Sequence, residues 1–315
     1  MNKQPQTKHS NQDQSDRSST SLATYAQLAA GMAMFGSGTP ISKLVTSAFP
    51  VFIASGLRVV IATVVLLPFI YQERKTIQHY QRKDWIVIFL IALIGMFLFS
   101  IFMLYGMKQI SGVVGSIVMS TTPAVTALGS FLLFRDRLGW RKSAAIALAV
   151  FGVLILNLGS QQGGQSGGNQ FIGMLLIFAA VCSEACYTLL GKKASDHVSP
   201  VMIAALAAAI AILLFLPFAL YQFSSFTMQQ VAWTDWLALA WWGAGTLALG
   251  SVLWYRGVAK VAGSTAAGFM GVMPVSALVL SYVLLGEPFA WIHLLGFAAV
   301  FAGVLLIARE HAHMH

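Results

Sequence analysis

Residues 112–134, GVVGSIVMSTTPAVTALGSFLLF, return in a related form as residues 263–285, GSTAAGFMGVMPVSALVLSYVLL. A constant offset of 151 aligns the two copies without a gap and continues beyond them: Met119 with Met270, Pro123 with Pro274, Ser130 with Ser281, Asp136 with Glu287, and Trp140 with Trp291. Each copy is almost wholly apolar and has a proline near its middle. A duplicated apolar unit with interrupted helices is typical of secondary transporters, whose solute site lies between the copies.

The chain is too apolar to be a water-soluble protein. Of its 315 residues, 57% are hydrophobic and only 9% are charged, and the mean hydropathy is +0.76. A soluble domain carries about 25% charged residues. The apolar runs are continuous rather than alternating, which predicts an all-α integral membrane protein instead of a barrel. The net charge of +9 does not indicate a nucleic-acid partner, because the basic residues are scattered between the apolar runs.

Ten apolar runs have about the 20 residues that a helix needs to cross the hydrocarbon core. They cover residues 22–44, 50–71, 85–107, 112–134, 140–158, 171–191, 200–221, 233–255, 264–286 and 291–308. With a cytoplasmic N-terminus, 16 of the 19 Lys and Arg residues fall in inside segments, and only Lys43 and Lys108 fall in outside loops. By the positive-inside rule, the sequence predicts ten transmembrane helices in the inner (plasma) membrane, with the N- and C-termini cytoplasmic.

The predicted organisation is two halves of five spans each. Residues 22–158 form the first repeat and residues 171–309 the second. Between them, the uncharged stretch GSQQGGQSGGNQ at 159–170 has the composition of an external flexible linker. Because five is an odd number, the second repeat enters the membrane from the opposite side, and the repeats are inverted. The polar residues 1–21 are interpreted as a disordered cytoplasmic tail, and residues 310–315 as a C-terminal tail.

Three stretches together resemble the EamA family of the drug/metabolite transporter superfamily. The sequence PVSALVLSYVLLGEP at 274–288, followed by HLLGFAAVFAGVLL at 293–306, is similar to the C-terminal part of an EamA domain. Residues 123–157 resemble the same motif, with Arg-Asp-Arg at 135–137 in place of Gly-Glu-Pro. ASGLR at 54–58 is similar to the arginine motif of the second span, and Ala208 takes the place of Arg58 in the second repeat.

The resemblance implies a ten-span, two-repeat secondary carrier that works by alternating access. Its expected activity is export of a small metabolite such as an amino acid, or of an amphipathic drug-like compound; uptake of a similar compound is the alternative. The partners would be a small-molecule substrate and the lipid bilayer, with protons as a candidate coupling ion. The sequence contains no Walker-type phosphate loop, so ATP drive would require another subunit. The substrate, the direction, the coupling ion and the oligomeric state are left open.

Two charged residues lie well inside predicted spans, Arg58 in the second and Glu184 in the sixth. A charge near the bilayer midplane costs at least about 2.5–3.5 kcal/mol, and such a residue usually faces a cavity or an opposite charge. We expect Glu184 to bind an amino or cationic group, or to carry a proton. We expect Arg58 to meet an anionic group or to pair with Glu184. The structural alternatives are an ion pair without a transport role, or an arginine bonded to helix carbonyls.

Pro123 and Pro274 lie near the centres of the fourth and ninth spans and are the predicted hinges. Proline has no N–H and frees the carbonyl four residues earlier, that of Met119 or Met270. A polar notch is expected there, with deep aromatic residues lining an amphipathic substrate pocket; the alternative is that neighbouring helices merely tolerate the kinks. The predicted substrate-binding or coupling residues are Glu184, Arg58, Ser120, Thr121, Phe35, Tyr187, Trp241 and Gly271.

Other functional classes receive less support from the sequence. A membrane-embedded enzyme needs a nucleophile beside a base, or several convergent His and acidic residues. The seven histidines instead fall in loops, tails or the first turn of a span. No enzymatic activity, cofactor or metal site is therefore expected. A channel or a non-transporting scaffold remains as an alternative.

Overall fold

The computed structural model describes residues 22–134, 139–162, 168–194, 198–228, 231–261 and 263–313. The first half contains α1 (Leu22–Ala48), α2 (Val51–Gln72), α3 (Arg82–Met107), α4 (Gly112–Met119 and Thr122–Phe134) and α5 (Trp140–Gln162). The second half contains α6 (Gly168–Ala194), α7 (Pro200–Phe223), α8 (Trp233–Val258), α9 (Gly263–Phe269 and Val272–Leu285) and α10 (Trp291–His313). A short helix, Arg74–Ile77, follows α2. The predicted all-α class is confirmed.

Seven helical stretches in the described part of the chain are long and apolar enough to cross a membrane. They are Val51–Gln72, Arg82–Met107, Gly112–Leu132, Asn169–Ala194, Pro200–Phe223, Trp233–Val258 and Trp291–Ala308. Two shorter apolar stretches, Ser143–Leu156 and Val272–Leu285, lie in α5 and α9. The chain is therefore a multi-pass integral membrane protein. The count of ten spans and the cytoplasmic position of the termini stay predictions.

The helices extend into segments that the sequence assigns to a linker and a tail. α5 runs to Gln162 and α6 begins at Gly168, so both ends of the predicted linker 159–170 are helical. The middle of that linker, residues 163–167, and the predicted N-terminal tail, residues 1–21, lie outside the described residues. α10 continues to His313, into the predicted C-terminal tail.

Each half of the chain packs mainly against the other half. α2 packs along α7 and α5 along α10, so these pairs join equivalent helices of the two repeats. α1 packs against α8 and α9, and α6 packs against α3 and α4, which is the same arrangement with the halves exchanged. The packing therefore follows the pseudo-two-fold relation expected of two repeats.

Contacts at both ends of the α2–α7 pair fix its direction. Glu73, just beyond the end of α2, accepts hydrogen bonds from Ser199 Oγ, at the start of α7, at 2.9 and 3.1 Å. At the opposite ends, the Phe52 N–H in α2 donates to Oε1 of Gln222 in α7 at 2.9 Å. The end of each helix thus meets the start of the other. The equivalent helices α2 and α7 run antiparallel, as inverted repeats require.

In the described part of the chain, four helices contain a break or a π-helical stretch, and they form two matched pairs. α3 contains a π-helical stretch at Ile91–Leu98, and α8 contains one at Trp241–Leu249. α4 is interrupted after Met119 and α9 after Phe269, in both cases shortly before the mid-span proline. Wide turns and breaks of this kind leave backbone groups to be satisfied by neighbours, and they often occur at functional positions.

α1 and α9 approach each other closely at Gly36. A methyl group on Gly36 would overlap Ser276 Oγ and the Met273 carbonyl oxygen of α9. We expect Gly36→Ala to cost about 1–3 kcal/mol of stability by overpacking and to lower the midpoint of thermal unfolding in detergent. Gly191→Ala is the control, because no atom lies within 4 Å of the methyl group it adds and alanine favours helix. Equal midpoints for the two variants would contradict this packing.

Candidate functional site

Glu184 lies in α6 on the side that faces the break in α4. Its side chain is partly exposed, and its Oε2 lies 2.9 Å from Thr122 Oγ1, at the first residue after the break. α6 belongs to the second half and α4 to the first, and the two helices pack directly against each other. An acid and a hydroxyl group therefore meet where the two repeats join.

The break in α4 explains why Thr122 can serve two partners. Pro123 has no N–H to donate to the Met119 carbonyl, and Thr122 Oγ1 donates to that carbonyl instead, at 2.8 Å. The same hydroxyl lies within bonding distance of Glu184. A threonine hydroxyl has one hydrogen, so it cannot donate fully to both acceptors at once. Both contacts are satisfied together when the carboxyl group of Glu184 carries a proton and donates to Thr122.

Arg58 is enclosed by protein and stabilised by aromatic rings. It is 8% exposed, and its guanidinium carbon lies 4.3 Å from the centre of the Trp242 ring and 5.5 Å from that of Phe99. Nη1 donates to Ser100 Oγ at 3.0 Å. In the part of the chain that the structure describes, Arg58 makes no direct ion pair, and its charge interacts with that of Glu184 at longer range. In this conformation, Arg58 is a packed cation rather than an open anion site.

Tyr187 lies near Glu184 and links it to a second tyrosine, Tyr255. Tyr187, three residues further along α6, interacts through its phenol with that of Tyr255 in α8, and it is within electrostatic range of both Glu184 and Arg58. Both phenols come from the second repeat, and Thr122 comes from the first. The group combines one acid with hydroxyl and aromatic groups, a set that suits an amine or an organic cation.

Ser120 and Thr121, which the sequence also predicts as site residues, lie at the break but point to their own backbone. Both are buried. Ser120 Oγ donates to the Ser116 carbonyl and Thr121 Oγ1 to the Val118 carbonyl, both at 2.7 Å. Their hydroxyls therefore satisfy the interrupted helix, whereas the hydroxyl of Thr122 reaches the acid.

The other predicted site residues lie along α1, α8 and α9. Trp241 is 41% exposed, and its Nε1–H donates to Ser37 Oγ in α1 at 2.8 Å. Phe35 lies at the contact between α1 and α8, and Gly271 is buried beside α10. The described contacts do not bring these three residues together with Glu184. A role for them in binding stays a prediction, as does the hinge role of Pro123 and Pro274.

The residues of the site are not repeated at the equivalent positions of the other half. The offsets of 150 and 151 that relate the two halves match Glu184, Thr122 and Arg58 with Met34, Met273 and Ala208. The equivalent positions of the other repeat therefore have no charge and no hydroxyl. The fold is duplicated, but its chemistry is not.

Four residues of this site are not among the predicted binding or coupling residues: Thr122, which belongs to the predicted polar notch, Trp242, which is one of the deep aromatic residues, and Tyr255 and Ser100, which the sequence did not single out. The signal for Thr122 was present, since a hydroxyl residue directly before a mid-helix proline can reach the carbonyl that the proline leaves free. The other three come from α3 and α8. Their contacts depend on how distant helices pack, and no local pattern in the chain reports that packing.

Comparisons with known proteins agree with this architecture. A model of the EamA-like transporter family matches residues 23–158 and again residues 171–309. The uncharacterized transporter YetK of Bacillus subtilis strain 168 is 38% identical over 90% of this chain and 86% of its own length. A probable terminal-alkyne amino-acid exporter of Streptantibioticus cattleyicolor is 23% identical over 72% of this chain and 74% of its own. A crystal structure of a protein with 15% identity shares the fold, with a TM-score of 0.64 over 94% of this chain and 100% of that chain.

Replacement of Arg58 by lysine tests whether the arginine is structural. A lysine keeps the charge but cannot stack a planar group on Trp242 while donating to Ser100. We expect Arg58→Lys to lose about 1–2 kcal/mol of stability, seen as a lower unfolding midpoint, with little change in activity per folded molecule. Loss of activity at an unchanged midpoint would instead make Arg58 a binding residue.

Proposed function

Because the chain belongs to the EamA-like transporter family and is therefore a membrane transporter of small molecules, we propose that it is a secondary carrier that exports a small amphipathic compound with a basic group. The observation that carries this proposal is the partly exposed Glu184 beside a broken helix, at the join of the two halves. The nearby Arg58 is covered by aromatic rings. An amine or organic cation fits such a site better than a compound whose only charge is a carboxylate.

Alternating access is supported by the matched breaks in α4 and α9. A helix with a mid-span proline can bend where its hydrogen-bond ladder is already interrupted. Breaks at the same depth in two inverted repeats let either end of a pathway open by the same movement. Pro123 and Pro274 act as the hinges in this proposal.

The orientation of the chain and the direction of transport are each supported by one observation. The charge distribution of the loops favours cytoplasmic termini, and one relative, named a probable terminal-alkyne amino-acid exporter, supports export. An amino-acid substrate would use its amino group at Glu184. Uptake is the opposite outcome of the same transport assay, read from the sign of the flux.

The single hydrogen of Thr122 supports proton coupling as part of this proposal. When Glu184 is protonated, it donates to Thr122, and Thr122 donates to the Met119 carbonyl. When Glu184 binds a cation instead, its proton has left, and Thr122 keeps the contact with Met119 alone. Proton and cation thus compete for one carboxylate, which is the requirement for exchange of one against the other.

Replacement of Glu184 by glutamine tests the site directly. In proteoliposomes loaded with a fluorescent monovalent organic cation, a carrier gives saturable flux and counterflow, whereas a channel or a scaffold does not. We expect Glu184→Gln to lower the flux at least about tenfold, as for loss of one charged contact, and to flatten its pH dependence. Glu184→Asp, which keeps the charge, is the control. Saturable flux in Glu184→Gln with the original pH profile would refute this role.

Replacement of Thr122 separates proton coupling from cation binding. Thr122→Val removes the hydroxyl but preserves the shape, and Thr122→Ser keeps the hydroxyl. We expect Thr122→Val to shift the pH dependence of cation flux while the concentration for half-maximal flux changes less, because the carboxylate remains. Thr122→Ser should behave like the original protein. Identical pH profiles in all three proteins would show that the hydroxyl has no part in coupling.

A further inference from the structure

The two broken helices are held together at one end of the bundle. We call this end the Glu287 face; it is where α2 and α4 begin and α9 ends. Glu287, two residues beyond α9, accepts hydrogen bonds from the backbone N–H groups of Gly112 at 2.5 Å and Val113 at 2.8 Å. These are the first two residues of α4. A carboxylate on a helix N-terminus forms strong, charge-assisted hydrogen bonds and complements the helix dipole.

Lys43 of α1 supports the same contact from the side. Its Nζ donates to the carbonyls of Met107 and Ile110, at 2.6 and 2.7 Å, where α3 ends and turns into α4. The charge of Lys43 also interacts with that of Glu287. Lys43 thus fixes the position of the α4 N-terminus to which Glu287 binds.

The contact continues one turn deeper along α4. Ser116 Oγ lies 2.8 Å from Ser281 Oγ and 3.2 Å from the Ala277 carbonyl, both in α9. Ser116 and Ser281 are fully buried, at 0% exposure. At Gly112, an added methyl group would overlap Leu285 of α9, so the two helices are in direct contact there as well.

Beyond the breaks, α4 and α9 part and pack mainly on different neighbours. The segment Thr122–Phe134 packs mainly against α6 and also against α5 and α10, whereas Gly263–Phe269 packs mainly against α10 and also against α1 and α8. Among the described residues, the principal α4–α9 contact is therefore the one between Gly112–Met119 and Val272–Leu285, at the Glu287 face. The α2–α7 pair differs, since Glu73 and Gln222 tie its two ends together at both faces.

We propose that Glu287 is the latch of a gate that closes the Glu287 face of the pathway, with α2 and α7 as the static frame. This inference rests on the proposed alternating access, because it assigns the present conformation to the state closed at that face. Opening requires Glu287 to leave the N–H groups of Gly112 and Val113, after which the first segment of α4 bends away from α9 at the break. Lys43 supports the same N-terminus of α4 in the closed state, through the carbonyls of Met107 and Ile110.

Cysteine accessibility tests the latch without a substrate. In the full chain with Cys182→Ala and Cys186→Ala, a cysteine is introduced either at Ser116, beneath the latch, or at Ser55, equally buried in α2. The purified protein in detergent is labelled with a hydrophilic maleimide. We expect Glu287→Ala to raise the labelling rate at position 116 at least about tenfold, because two charge-assisted hydrogen bonds are lost. Glu287→Gln, which keeps one acceptor oxygen, should give a smaller rise.

Two comparisons decide the outcome. Glu73→Ala removes the acid that ties α2 to α7, and it should leave labelling at position 116 unchanged; Glu287→Ala should leave position 55 unchanged. No rise at position 116 in Glu287→Ala would overturn the latch, and so would an equal rise at positions 116 and 55, which would make Glu287 a general stabiliser. The transport assays can fail independently of this result, because labelling requires neither substrate nor coupling ion.

Discussion

The structure depends on the requirement that every backbone polar group within the hydrocarbon be satisfied by the protein itself. The hydroxyl side chains in the described interior largely serve this need. Ser42, Ser120, Thr121, Thr246 and Ser251 each donate to a carbonyl three or four residues back in their own helix. Thr122 meets the same need at the carbonyl freed by Pro123, but its oxygen also reaches a carboxyl group on another helix. The hydroxyl group that satisfies the broken helix is thus also part of the candidate site.

Much of the fold could be predicted from the sequence, because the relevant signals are local or periodic. The apolar runs and the offset between Pro123 and Pro274 were sufficient for an all-α membrane protein of two repeats, and the breaks in α4 and α9 occur close to those prolines. Where the helices end was less predictable. Gly-, Gln- and Ser-rich residues on either side of 163–167 belong to the end of α5 and the start of α6, since adding a residue to an existing helix costs much less than starting one.

The site could be predicted only in part, because it depends on how helices distant in the chain pack. The cost of a buried charge singled out Glu184 and Arg58, and the structure places them within electrostatic range. It could not be known from the sequence that Trp242 covers the guanidinium while its neighbour Trp241 is exposed. Adjacent residues on a helix point about 100° apart, so the choice between two tryptophans depends on which side α2 occupies. The sequence therefore could not decide whether Arg58 faces a ligand or is covered by aromatic rings.

The fold is shared by both halves, whereas the residues of the candidate site are not. Met34 and Met273 occupy the positions equivalent to Glu184 and Thr122. Ala208 occupies the position equivalent to Arg58. Duplication supplies two interchangeable frames that can move in opposite senses. A few residues that differ between the halves, Arg58 and Thr122 in the first and Glu184 in the second, then supply the chemistry, without loss of the packing that the symmetry stabilises.

The confinement of the acid to one repeat has a consequence for energetics. A carrier with one carboxylate in its pathway can exchange one proton for one monovalent cation in each cycle, and that exchange moves no net charge across the bilayer. The membrane potential, about 2.3 kcal/mol per elementary charge at 100 mV, would then do no work on the cycle. If the proposed exchange of a proton for a cation at Glu184 is correct, the carrier would draw on the pH gradient alone.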